Sequence, residues 1–145
     1  MAAIWESQQS SGVSPVNQRF GQIRTLPDGG ASGEAGAPLL EAEEIRFYIR
    51  CYTGADVMPD DVRAVPLSAE DFSGLPPAAI LAAEVDPLLA DAERYAQALA
   101  AAGVPADLEV AKGVVHGFLR ARRMSPESAR AFAWLCDAAR RWLDA

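Results

Sequence analysis

The sequence predicts an α/β protein with parallel strands, and three observations carry that expectation. A short continuous apolar run, "AAILAAE" at 78–84, follows Pro76-Pro77 and ends at a turn. An alternating run, "ADLEVAK" at 106–112, comes about one helix later. Segments with a 3.6-residue apolar period stand before, between and after these runs, so the order reads helix, strand, helix, strand, helix.

Each element has its own signals. Residues 1–19 are polar and aperiodic and read as an unstructured leader, while "FGQIRTL" at 20–26 has the character of a short strand. "PDGGASGEAGAP" at 27–38 is glycine-rich turn material. The first helix spans 39–54, with Ile45, Tyr48, Ile49 and Tyr52 at helical spacing and Gly54 as its stop. A long, proline-punctuated connection follows over 55–77. The run at 78–84 suits a strand covered on both faces, as in a parallel sheet. In the second helix Asp86 takes the N-cap position, Pro87 the first helical position, and Gly103 with Pro105 the end. Its inner face is Leu88, Ala92, Tyr95, Leu99 and Ala102, with Asp91, Glu93, Arg94 and Gln97 pointing away. The run at 106–112 alternates as a half-exposed strand does near a sheet edge. Ser125-Pro126 opens the last helix, which buries Phe132, Leu135, Cys136, Ala139, Trp142 and Leu143.

Bulk composition narrows the function classes. A chain of 145 residues has room for one domain, burying about 70% of its unfolded surface. Half its residues are apolar and 23% are charged, an ordinary globular balance. The net charge of −7 argues against nucleic-acid binding, which needs a basic stripe. The arginines of "LRARR" at 119–123 read as a solvated loop. Cys51 and Cys136 have no C-x-x-C spacing, and the chain has one histidine, so a zinc site lacks ligands and no metal is expected. Two buried free thiols are the expectation, in a reducing compartment. The first twenty residues have neither the basic start nor the apolar stretch of a signal peptide. No apolar run nears the roughly 18 residues of a membrane span. These features lead to a cytoplasmic protein with no membrane span.

Two chemical residues fall at equivalent places: Asp86 just past one strand, and His116, in "GVVHGF", just past the next. In open parallel sheets, ligand sites form outside the carboxyl ends of strands. Adjacent strands can therefore bring the two side chains together. An aspartate that accepts a bond from histidine Nδ1–H fixes the tautomer and stabilises the imidazolium formed in catalysis. Histidine is also the side chain suited to proton exchange near neutral pH. By themselves, an Asp-Pro pair before a helix reads as a cap and a single loop histidine as structural. Only their joint placement favours catalysis.

The stretch at 67–119 resembles the C-terminal third of the hormone-sensitive-lipase-like esterases, a group of the α/β-hydrolase superfamily (fold-3 type). "GLPPAAILAAEVDPL", "AAGVP" and "HGF" carry the resemblance in order and spacing. It weakens but persists through "APLLEAEEIRFYIRCYTG", so the firm match is 37–145 within a partial domain at 20–145. The resemblance implies the C-terminal part of an α/β-hydrolase fold. Two to three parallel strands would be flanked by helices, with the N-terminal half of the sheet missing.

By resemblance the family's catalytic acid is Asp86, which orients the histidine, and its general base and acid is His116. The family hydrolyses carboxylic esters through an acyl-enzyme without a cofactor. It uses a serine in a G-x-S-x-G turn and an H-G-G-G stretch for the oxyanion. Neither motif occurs in this chain. Ser32, in "GGASGE", has Gly30 before it but Glu34 where the second glycine belongs, and lies too close to Asp86 in sequence. Ser7, Ser10, Ser11 and Ser14 lie in the leader. The nucleophilic serine is thus not present.

The first expectation is a truncated serine esterase, inactive alone and acting on small esters when an N-terminal portion completes it. The alternative is a non-catalytic remnant that serves as an interaction module. An active hydrolase with an unorthodox nucleophile comes last. A partial sheet would also leave apolar surface uncovered, which favours self-association.

Overall fold

In the computed structural model, which describes residues 38–55 and 61–143, the elements follow the order that the periodicity predicts. They are helix α1 (Ala42–Thr53), strand β1 (Ala78–Val85), helix α2 (Leu89–Ala101), strand β2 (Ala106–Val115) and helix α3 (Pro126–Leu143). Short 3-10 turns occupy Pro66–Ser68 and Phe118–Ala121. The strand expected at 20–26 lies outside the described residues.

Helix α1 starts with a reciprocal capping box. The Glu41 carboxylate accepts the Glu44 N–H, and Glu44 Oε2 accepts the Glu41 N–H at 2.9 Å. Gly54 ends the helix at φ +74°, a left-handed conformation that costs glycine little. Leu40, Ile45 and Ile49 are buried and pack with Leu88, but Tyr48 and Tyr52 are exposed. Burial is thus confined to the part of α1 that meets Leu88, and periodicity alone could not show where contact ends. Cys51 on α1 is exposed, while Cys136 is half-buried, so two buried thiols are not what forms. Both are free.

The connection before β1 is more ordered than its prolines suggest. Ala64, Val65 and Pro66 are buried. Asp71 accepts the Ser73 N–H and hydroxyl, which closes a side-chain turn. Phe72 meets Tyr95 of α2 edge to face, 6.0 Å between ring centres.

β1 and β2 pair in parallel, from Ala78 opposite Ala106 to Ala83 opposite Ala111, with α2 as the crossover. Adjacent residues on a strand face opposite sides, and both Ala82 and Ala83 are buried. The centre of β1 is thus covered on both faces, as expected, whereas Glu84 near its end is exposed. Small residues allow close approach: Ala83, Ala111 and Val114 pack with Ala131 of α3, flanked by Leu81, Phe118 and Leu119.

Two helices depart from the expected boundaries or faces. α2 begins at Leu89, with Leu88 rather than Asp86 at its N-cap, because Asp86–Leu89 forms a turn closed by the Leu89 N–H on the Asp86 carbonyl at 3.1 Å. Leu99 is fully buried as expected, but Asp91 does not point away; its side chain is only 15% exposed. α3 is held at its start by Ser125, whose Oγ accepts the Ser128 N–H at 3.2 Å. Its buried stripe is Ser128, Ala131 and Ala138, with Leu135 and Trp142 half-buried. Phe132 is 40% exposed instead, and the Arg122 guanidinium lies 5.2 Å from its ring centre. The sheet is lined by alanines at this contact, so small α3 residues face it and the phenyl ring is turned outward.

Candidate active site

Parallel strands end side by side, and the residue after each end is one of the two singled out by sequence. Asp86 follows Val85, the last residue of β1, and His116 follows Val115, the last of β2. His116 Nδ1 lies 2.8 Å from Asp86 Oδ2. The other carboxylate oxygen, Oδ1, accepts the Leu88 N–H at 2.9 Å. One oxygen of Asp86 thus braces the turn into α2 while the other faces the imidazole.

The pair is unevenly buried. The side chain of Asp86 is 11% exposed and that of His116 38%. Among the described residues, nothing hydrogen-bonds to His116 Nε2. The tautomer that donates from Nδ1 to the carboxylate leaves the lone pair on Nε2, the arrangement in which that atom can take up a proton. Gly117, at φ +73°, turns the chain directly after His116 into the 3-10 turn at Phe118–Ala121.

The level of His116 is set by an irregularity in β2. After Ala83 opposite Ala111, regular pairing would place Val85 opposite Gly113. Val85 instead lies opposite Val115, so β2 carries two extra residues at its end, a bulge. Gly113 within it has φ +67°. Glu84 spans the bulge: Oε2 accepts the Gly113 N–H at 2.8 Å and Oε1 the Lys112 ammonium at 3.0 Å. The Gly113 N–H, and then Lys112, hold the Glu84 carboxyl below its usual range. Sequence reasoning ended this strand at 112 and did not single out Glu84; the available signal was a glycine directly after an alternating run.

Asp91, in the first turn of α2, has its carboxyl pushed up by burial, with Arg94 opposing at 3.7 Å. No three metal-ligating side chains converge among the described residues. None of the described serines bonds to His116, and Ser7, Ser10, Ser11, Ser14 and Ser32 lie outside those residues. No helix among the described residues is long and apolar enough to cross a membrane.

A family model for the α/β hydrolase fold matches residues 13–120. Esterase LipI of Mycobacterium tuberculosis is 41% identical over 86 residues, 59% of this chain and 27% of that protein. Hormone-sensitive lipase of Bos taurus is 36% identical over 96 residues, 60% of this chain and 13% of that protein. Among solved structures, an esterase of Pyrobaculum calidifontis superposes with a TM-score of 0.71 at 29% identity, covering 79% of this chain and 38% of that one. The chain spans about a quarter of the length of the curated esterases it matches. A parallel β-α-β unit agrees with the fold that these similarities show. The chain belongs to the α/β-hydrolase fold family, and within it is similar to esterase LipI and to hormone-sensitive lipase.

Proposed function

We propose that Asp86 and His116 are the acid and base of a Ser-His-Asp triad for carboxylic-ester hydrolysis, and that a segment outside these 145 residues supplies the serine. The 2.8 Å contact between His116 Nδ1 and Asp86 Oδ2, at the ends of adjacent parallel strands, carries this reading. The sequence holds no G-x-S-x-G turn, which supports a nucleophile supplied from outside these residues.

In this mechanism a serine oxygen attacks the ester carbonyl carbon while His116 Nε2 takes the hydroxyl proton. Asp86 stabilises the imidazolium and keeps the ring in its tautomer. As the tetrahedral intermediate collapses, Nε2–H returns the proton to the departing alcohol and the acyl-serine remains. Water then gives a proton to Nε2 as it attacks the acyl carbon. Collapse releases the carboxylic acid and restores the serine hydroxyl.

The test is hydrolysis of a short-chain nitrophenyl ester by the purified chain and by His116→Ala, each alone and mixed with an upstream esterase fragment bearing the G-x-S-x-G turn. Near-background rates are expected from both chains alone. Turnover is expected in the mixture, reduced by about 10⁴-fold or more in His116→Ala because the triad acts as a unit. Turnover by the chain alone that disappears in His116→Ala would show a nucleophile within these residues. Turnover in the mixture that is indifferent to His116→Ala would remove His116 from the mechanism.

A second reading, an interaction module, draws on one observation. Leu39, Phe47, Tyr48 and Tyr52 expose aromatic and aliphatic surface on and beside α1. A stable partner complex unaffected by His116→Ala, together with no turnover in the mixture, would favour it.

A further inference from the structure

We propose that Glu84 is a positioning residue for His116, an inference that rests on the reading of Asp86 and His116 given above. Its carboxylate holds the bulge of β2 and so sets the imidazole level with Asp86. Glu84 stands two residues before Asp86 on one strand, and Gly113 three residues before His116 on the other. The Glu84–Gly113 and Asp86–His116 bonds therefore form two successive cross-strand ties at the same end of the sheet.

The geometry shows what the first tie contributes. A strand advances about 3.3 Å per residue, so losing two extra residues from the bulge would move His116 by roughly 6–7 Å along β2. A 2.8 Å bond cannot survive that displacement. The bulge is held from two sides. Val114 is turned into the cluster of Ala83, Ala111 and Ala131, and Glu84 closes the backbone from the solvent side. Val114 fixes which way the bulge packs, but it makes no hydrogen bond to the Gly113 N–H; that bond belongs to Glu84. The lowered carboxyl keeps Glu84 ionised at neutral pH, where both oxygens accept. Lys112 is exposed and pairs only with the second oxygen, which makes it an accessory to the tie.

His116 is the one histidine of the chain, so its ring nitrogens and Nδ1–H proton are assignable in NMR spectra without ambiguity. The experiment compares this chain with Glu84→Thr, Glu84→Gln, Lys112→Ala and Asp86→Asn by ¹⁵N and low-field proton spectra. Threonine favours strands but is too short to reach Gly113, whereas glutamine keeps an acceptor oxygen. In Glu84→Thr the Nδ1–H proton should exchange with solvent at least about tenfold faster, and the ring nitrogens should shift towards mixed tautomers. Glu84→Gln should restore most of the parent behaviour, and Lys112→Ala should retain it. Amide protection of α2 and α3 in the same samples separates a local change from loss of the fold. If Glu84→Thr does not fold, Glu84→Gln and Glu84→Ala carry the same comparison. Exchange within twofold of the parent in Glu84→Thr, while Asp86→Asn abolishes the signal, would overturn the inference and leave the dyad intact. A signal indifferent to Asp86→Asn would overturn the dyad itself, and the role of Glu84 with it.

Discussion

Asp91 shows how a single side chain can escape a periodicity argument. It falls beyond the edge of the apolar stripe of α2, yet its carboxyl is half-buried and its pKa is raised by that burial. The sign of its effect on stability follows. Above the raised folded-state pKa both states are ionised, and folding bears the full cost of desolvating the charge. As pH falls through that value the folded state takes up a proton before the unfolded state does, so the cost recedes. Below the unfolded-state pKa, about 3.9 for an aspartate, it is gone. Asp91→Asn should therefore raise the melting temperature at pH 7 and lose that gain near pH 3, in paired thermal unfolding curves. A gain that persists at pH 3 would point to packing instead. Arg94 opposes the effect but lies 3.7 Å away and is itself more than half exposed, so screening limits it.

The strands and helices were readable in the sequence to the extent that their causes are local. Pro76-Pro77 and the apolar run mark β1, and Asp86-Pro87 marks the turn after it, so the aspartate of the site could be placed. His116 followed from an alternating run and a glycine. Gly113 is the one local sign of the bulge; its register is not readable, because register is set by contacts with the other strand and no local spacing encodes it. The buried face of α3 is hidden from the sequence for a related reason. Phe132 and Ala131 are neighbours in sequence, and the alanine-lined sheet decides which of them is buried. That close contact makes a prediction. Ala131→Leu would overfill the cluster of Ala83, Ala111 and Val114 and should cost about 1–3 kcal/mol, read as a lower urea midpoint. Phe118 and Leu119, just after His116, pack on the same cluster, so the variant should also loosen the histidine loop. An unchanged midpoint would mean that α3 packs less tightly than this contact implies.

Taken together, the described residues form a sheet of two strands, each with one unpaired edge among those residues. Exposed Leu39, Phe47, Tyr48, Tyr52 and Met124 add apolar surface. On the reading proposed for this chain, we expect mass that rises with concentration in sedimentation velocity, together with a broad melt. A clean monomer with a sharp cooperative transition would count against it.

The crossover through α2 has a further consequence, in the order of assembly. Asp86 and His116 are 30 residues apart, and the segment between them is a single helix with its flanking turns and the second strand. Their bond therefore closes a short, local loop, the kind of contact that forms early because little chain entropy must be given up for it. Docking of α2 and pairing of β1 with β2, with the bulge of β2 held by Glu84 and by Val114 against α3, bring the two side chains together. Whichever polypeptide brings the serine, in the mechanism proposed above, meets a proton relay that is already assembled.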